Sequence, residues 1–114
     1  MTDEQVVAEV ARTFFEAIIE KDFDKAGLMW SGAPGAIIEK FFVGANAVKI
    51  ISVGEPRPNP DPDTTSMIGS CKVLLEFEGQ YFEIDAHWIH VRRISTQPDR
   101  WTISGLGSRV QPVE

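Results

Sequence analysis

The sequence predicts an α+β fold: N-terminal helices followed by an antiparallel sheet. Three observations predict it. Apolar residues of the first third recur at three- and four-residue spacing, the period of a half-buried helix. After Gly44 the period falls to two, the period of a strand. A single run with proline at every second position, 55–63, interrupts the strand-like part and divides it.

The first helix is predicted over 3–21. Thr2 is a suitable N-cap and Gln5 stands at the third helical position, which together make a capping box. Asp3 and Glu4 sit where the positive end of the helix dipole favours acids. Val7, Val10, Ala11, Phe14, Ala17 and Ile18 form an apolar stripe, while Glu9, Arg12, Glu16 and Glu20 fall mostly on the other side. Asp22 reads as the N-cap of a second, short helix over 23–30, with Phe23, Ala26 and Trp30 on one face. Ser31-Gly32 stops it. Pro34 suits the first turn of a third helix, 34–43, because proline lacks only an N–H that has no partner there. Ile37, Ile38, Phe41 and Phe42 give that helix a dense apolar face, and Gly44 is the expected left-handed cap.

A first strand follows over 48–53. The run Glu55-Pro56-Arg57-Pro58-Asn59-Pro60-Asp61-Pro62-Asp63 has fixed φ angles and few donors. It reads as an exposed, polyproline-like hairpin loop and not as a central strand. Three long strands are then predicted over 66–78, 81–94 and 100–110, with a turn at Gln97-Pro98-Asp99. On the second of these, Phe82, Ile84, Ala86 and Trp88 point one way, and Tyr81, Glu83, Asp85 and His87 the other. On the third, Trp101 and Ile103 oppose Thr102, Ser104 and Leu106. Gly105 and Gly107 mark a bend or a close backbone approach.

Composition bounds the function. The chain has 114 residues, 43% of them hydrophobic and 25% charged, which predicts one domain, 1–114, with a core of its own. Seventeen acids against eleven bases give a net charge of −6, which speaks against a nucleic-acid partner, since phosphate binding needs a basic face. No apolar run approaches the ~20 residues that span a bilayer, so no membrane partner is expected. The acidic start lacks the basic segment of a secretory signal, so a cytoplasmic location is expected; an exported chain whose leader had been removed would read the same. The single cysteine, Cys71, excludes an internal disulfide and a multi-cysteine zinc site.

Two stretches resemble a known superfamily. Val10-Ala11-Arg12-Thr13-Phe14-Phe15-Glu16-Ala17 followed by Lys21-Asp22-Phe23-Asp24-Lys25-Ala26 looks like its opening helix, acidic turn and second short helix. Arg100-Trp101-Thr102-Ile103-Ser104-Gly105-Leu106 looks like its closing strand. With the order of elements, these make the chain resemble the nuclear-transport-factor-2-like superfamily, whose relatives include ketosteroid-isomerase-like and SnoaL-like proteins. The resemblance implies a cystatin-like cone: N-terminal helices packed in a strongly curved antiparallel sheet around an open apolar pocket, with homodimers paired through the outer sheet face. The fold hosts many activities and licenses none. Catalytic members carry an acid and a tyrosine or second acid in the pocket. Here Ser31-Gly32 stands where such members often have an aspartate, and the only tyrosine, Tyr81, lies early in a strand.

Glu83, Asp85 and His87 form the most chemical cluster, three ionisable residues at spacing two and roughly 7 Å apart along one strand face. If that face lined the pocket, Asp85 would orient His87 as a general base. The better apolar character of the opposite face argues that it looks outward instead. His90 shares the parity of Trp88 and so is expected to look into the cone, as a core histidine or a ligand-orienting one. His87 and His90 lie on opposite faces of a regular strand and cannot share a metal without a bulge, so no metal and no cofactor is expected. Trp30, Trp88, Phe14, Phe15, Met29, Trp101 and His90 are the candidate ligand contacts. Cys71 reads as a buried, inert thiol. Asp61 and Asp63 lack the glycine and final glutamate of an EF-hand. A semi-polar sheet face carrying Ile68, Ser70, Lys72, Leu74, Glu76 and Glu78, with Thr102, Ser104 and Leu106 of the last strand, suits a modest homodimer interface.

Three functions fit this reading. The first is a binding domain for a small apolar or amphipathic ligand, which predicts a pocket with few ionisable groups. The second is a small isomerase- or dehydratase-like enzyme using Asp85 with His87 or His90 as acid and base, which predicts a titratable group inside the pocket. The third is a protein-assembly module contacting partners through its proline-rich loop, which predicts a filled interior.

Overall fold

The computed structural model describes residues 2–30, 33–42, 45–59, 66–94 and 96–113, the side chains of Pro98 and Asp99 apart. Among these, three helices pack on one antiparallel sheet. Helix α1 is Asp3–Ile19, α2 is Phe23–Met29 and α3 is Gly35–Lys40. The strands are β1 (Asn46–Val53), β2 (Arg57–Pro58), β3 (Met67–Phe77), β4 (Gln80–Ile94) and β5 (Gln97–Pro112). Their order is β1-β3-β4-β5, with β2 also pairing with β3.

The capping box of α1 forms as its sequence predicts. The Gln5 N–H donates to Thr2 Oγ1 at 3.2 Å, and the Thr2 N–H donates to Gln5 Oε1 at 2.9 Å. The helix ends at Ile19 because Lys21 turns left-handed, with φ 59°. The Lys21 N–H then donates to the Ile18 carbonyl and the Asp22 N–H to the Ala17 carbonyl, a Schellman closure. Asp22 caps α2 by accepting from the Lys25 N–H at 3.2 Å. Helix α3 is shorter than its apolar run suggests and has no side-chain cap. The predicted stop signals Ser31, Gly32 and Gly44 lie outside the described residues.

Strand β1 carries two register shifts against β3, so Ala47, Ile50 and Val53 reach the core at intervals of three. Part of the proline run is not loop: Arg57 and Pro58 pair with Ile68 and Met67. Proline is tolerated there because β2 is short and marginal to the sheet. The rest of the run, with Asp61 and Asp63, lies outside the described residues. Strands β3 and β4 meet in a two-residue turn, Glu78-Gly79, both with positive φ (50° and 80°), the geometry that matches strand twist. The predicted turn at 97–99 belongs to β5, since Gln97 already pairs with Ile94.

Two further register shifts change which residues face the helices. In β4, His87 and Trp88 stand opposite the single residue Ser70 of β3, and the register against β5 shifts between Asp85 and Trp88. The inward series therefore runs Ile84, Ala86, Ile89, Val91, all buried. This corrects the simple alternation: Trp88 and His90 leave the inner face, and Trp88 is 41% exposed. In β5, Ser104 is the extra residue between the Ile103–Val91 and Gly105–His90 pairs. The inward series passes from Trp101 and Ile103 to Leu106, which packs against the core instead of opposing it.

The core lies between the helices and this inner face. Val7, Phe14, Phe15 and Ile18 of α1 meet Cys71, Val73, Ile89 and Ile103 of the sheet. Burying each large aliphatic or aromatic side chain stabilises by roughly 1.5–3 kcal/mol before conformational entropy is counted. Phe14 and Phe15 pack edge to face with centroids 5.2 Å apart. The Asp3 carboxylate meets Arg93 at 2.6 Å at one end of α1, and the Arg93 guanidinium lies 5.0 Å over the Trp101 ring.

Candidate functional site

A cavity of about 230 Å³ opens between the helices and the inner sheet face. Phe14 and Phe15 come from α1, Trp30 from the end of α2, Phe41 and Phe42 from the end of α3, and Ile84, Leu106 and Ser108 from β4 and β5. Among the described residues, Ser108 is the one hydroxyl lining it, and no carboxylate, amine, guanidinium or imidazole does so. Trp30 is the centre of an aromatic stack. It lies 5.8 Å from Phe14 at a tilt of 55°, and 6.0 Å from Phe41 at 16°, nearly parallel. Phe14 is fully buried, whereas Phe41 is 66% exposed at the rim.

Three of the predicted contacts, Phe14, Phe15 and Trp30, are brought together here. The other four are placed elsewhere. Met29 packs against the core, where its carbonyl accepts a hydrogen bond from Thr102 Oγ1 at 3.0 Å. Trp101 is buried beneath Arg93. Trp88 lies on the outer sheet face, above Gly107, where a Cβ would stand 3.2 Å from the Trp88 Cβ. The glycine is thus a close approach to an aromatic neighbour.

His90 is also on the outer face, in a closed polar cluster. Ser104 Oγ donates to the His90 carbonyl at 3.2 Å and lies 2.9 Å from Nδ1. With its hydrogen so used, that hydroxyl accepts from Nδ1–H. Nε2 then accepts from Asn59 Nδ2 at 2.7 Å, with Ser66 Oγ at 2.9 Å; Asn59 Nδ2 also donates to Ser66 at 3.0 Å. The expectation that His90 looks into a cone is corrected: the cluster ties the start of β3 and the end of the β2 segment to β4 and β5.

The acidic and histidine candidates share that outer face. Glu83 pairs with Lys72 at 3.7 Å, and Asp85 stands in register between Lys72 and Arg109. His87 Nδ1 donates to the backbone carbonyl of Asp85 at 3.2 Å, so Asp85 orients the ring through its main chain. None of Glu83, Asp85, His87 and His90 lines the aromatic cavity. The β4 shift puts both histidines on the outer face, yet no cluster of three metal-ligating residues occurs among the described residues. Cys71 is buried in the core, and burial pushes its thiol up to about 11 against a small opposing pull from Arg12.

Sequence reasoning missed Phe41, Phe42, Ile84, Leu106 and Ser108 as cavity residues. The apolar density of 37–42 was a usable signal, since four large apolar side chains in six residues exceed what one short helix face buries on its own. Leu106 carried no such signal, because the shift at Ser104 reverses its parity.

No helix among the described residues is long and apolar enough to cross a membrane. The established result is therefore architectural: an α+β arrangement of three helices on an antiparallel sheet, with an aromatic cavity between the layers. No protein-family model matches the chain, and no curated protein matches it.

Proposed function

We propose that the chain is a binding domain that takes a small apolar or amphipathic molecule into the cavity between helices and sheet, on the cone-like plan of nuclear-transport-factor-2-like proteins. The carrying observation is the lining: among the described residues, seven apolar or aromatic side chains and one hydroxyl. Such a wall rewards removal of apolar surface from water, and the Ser108 hydroxyl offers a hydrogen-bonding group to set orientation. Size narrows the ligand. A cavity of ~150 Å³ admits benzene, so 230 Å³ suits a molecule of one or two rings. The register shifts in β4 and β5 support the curvature of the plan, because bulged strands bend.

The binding reading is favoured over an enzyme using Asp85 with His87 or His90, since those groups stand away from the cavity. It is favoured over an assembly module with a filled interior, since the interior is hollow. Native mass spectrometry of protein purified without denaturant tests it. A small-molecule increment lost on denaturation, or saturable binding of indole or naphthalene that Leu106→Trp abolishes with the circular dichroism unchanged, is expected. Absence of both an increment and any saturable ligand among one- and two-ring compounds would sink the reading.

The second part of the proposal is a homodimer through the outer sheet face. Trp88 and Tyr81 are exposed on it, amid the charges of Lys72, Glu83, Asp85 and Arg109. That mixture of aromatic anchors and polar surroundings is what a modest interface uses.

A further inference from the structure

We propose that Trp30 and Phe41 are the two jaws of a clamp that selects planar aromatic ligands. The inference rests on the binding role of the cavity and names the class of molecule it takes. The two rings are nearly parallel, 16° apart in plane, with centroids 6.0 Å apart. A flat ring held between two others needs two van der Waals contacts of ~3.5 Å each, a separation of about 7 Å. The Trp30–Phe41 pair is not open to that width, so Phe41 must swing outward to admit a ring between the two.

The jaws differ in how they are held. Trp30 is backed by Phe14, which is fully buried, and by the end of α2. Phe41 stands at the C-terminal cap of α3 and is 66% exposed. Helix α3 has no side-chain cap, packs chiefly on α2, and buries only Gly35 and Ile38. Segments with few buried apolar contacts open at the least free-energy cost. Trp30 is thus the fixed jaw and Phe41 the moving one, carried by a lightly anchored helix. Among the described residues the remaining lining is apolar save for Ser108, which fits an uncharged ring with a polar substituent. A saturated molecule of equal volume fills the cavity but is thicker than a flat ring and gains no ring–ring contact.

The test compares 2-naphthol with its saturated counterpart, decahydro-2-naphthol, by isothermal titration calorimetry on the wild-type chain and on Phe41→Leu. Leucine keeps an apolar side chain at an exposed position, so the fold survives; circular dichroism checks this. Ring stacking of this kind is worth roughly a fivefold difference in affinity. The wild type should bind the naphthol at least about fivefold tighter, and Phe41→Leu should bring the two affinities together while still binding both. Phe41→Tyr, which restores a ring, should restore the preference. Equal affinities in the wild type, or a preference unmoved by Phe41→Leu, would overturn the clamp while leaving the cavity a binding site. Failure of both compounds to bind wild type would overturn the clamp together with the reading beneath it.

Discussion

Lys21 holds a left-handed backbone, φ 59°, to let two N–H groups close the end of α1. A side chain with a Cβ pays about 1 kcal/mol there that glycine does not. Lys21→Gly should therefore raise the melting temperature by about 4 °C in a thermal scan, with the helix content unchanged. A lower melting temperature would mean that the lysine side chain contributes more than the backbone strain costs. Cys71 gives a second residue-scale prediction. Its folded thiol titrates near 11, above the ordinary value of 9.0, because burial penalises the thiolate. The folded state thus holds the proton more tightly than the unfolded one. The associated stability, about 2–3 kcal/mol, is present below pH 9 and is lost as pH rises towards 11. Denaturant midpoints across that window should fall in the wild type and fall less in Cys71→Ala. A thiol reagent at pH 8 should label the unfolded chain and spare the folded one.

At the scale of elements, the β2 segment is the one whose attachment can be read atom by atom. Two residues of strand pairing hold it, with the Gly54 N–H on the Ser70 carbonyl at 2.9 Å and the Asn59 N–H on the Ser66 carbonyl at 3.2 Å. The imidazole of His90 adds the side-chain tie through Asn59 and Ser66. His90→Ala removes the acceptor at Nε2 and leaves part-buried polar groups to find water, which costs about 1–3 kcal/mol. Hydrogen exchange at the Gly54 and Asn59 amides should quicken at least about tenfold, while the Val73 amide in the middle of β3 stays protected. Equal protection of the β2 segment in the variant would show that strand pairing alone holds it. Helix α3 stands in contrast, because only Ile38 among its large side chains is buried. On the clamp proposal, α3 is therefore the element that moves.

The whole molecule has two sheet faces of different character. The helix-covered face is continuous apolar core, interrupted by the cavity. The outer face mixes Trp88 and Tyr81 with a cross-strand series of Lys72, Asp85 and Arg109. Light scattering at tens of micromolar should give twice the chain mass, and Trp88→Arg should return it to the single-chain mass with the core intact. A wild-type monomer under those conditions would remove the interface. A dimer indifferent to Trp88→Arg would move it off this face. Because the cavity lies on the opposite side of the sheet, ligand affinity should change by less than about twofold between dimer and Trp88→Arg, as expected of distant, independent sites.

The sequence by itself determined the α+β order of elements, the capping of α1 and α2, the apolar face of α1 and the burial of Cys71. These are local or periodic properties: a cap needs residues three apart, and a stripe needs one regular period. The tertiary structure alone decided which side of the sheet Trp88, His90 and Leu106 occupy. A single extra residue in a strand reverses the parity of everything beyond it, and neither the His87–Trp88 shift nor the extra Ser104 announces itself in composition. It also decided the cavity. Phe14 and Phe15 were legible as core aromatics, but their meeting with Trp30, Phe41 and Leu106 joins residues from α1, the ends of α2 and α3, and β5. Such a wall exists only once distant segments are packed together, because no local spacing encodes the space left between them.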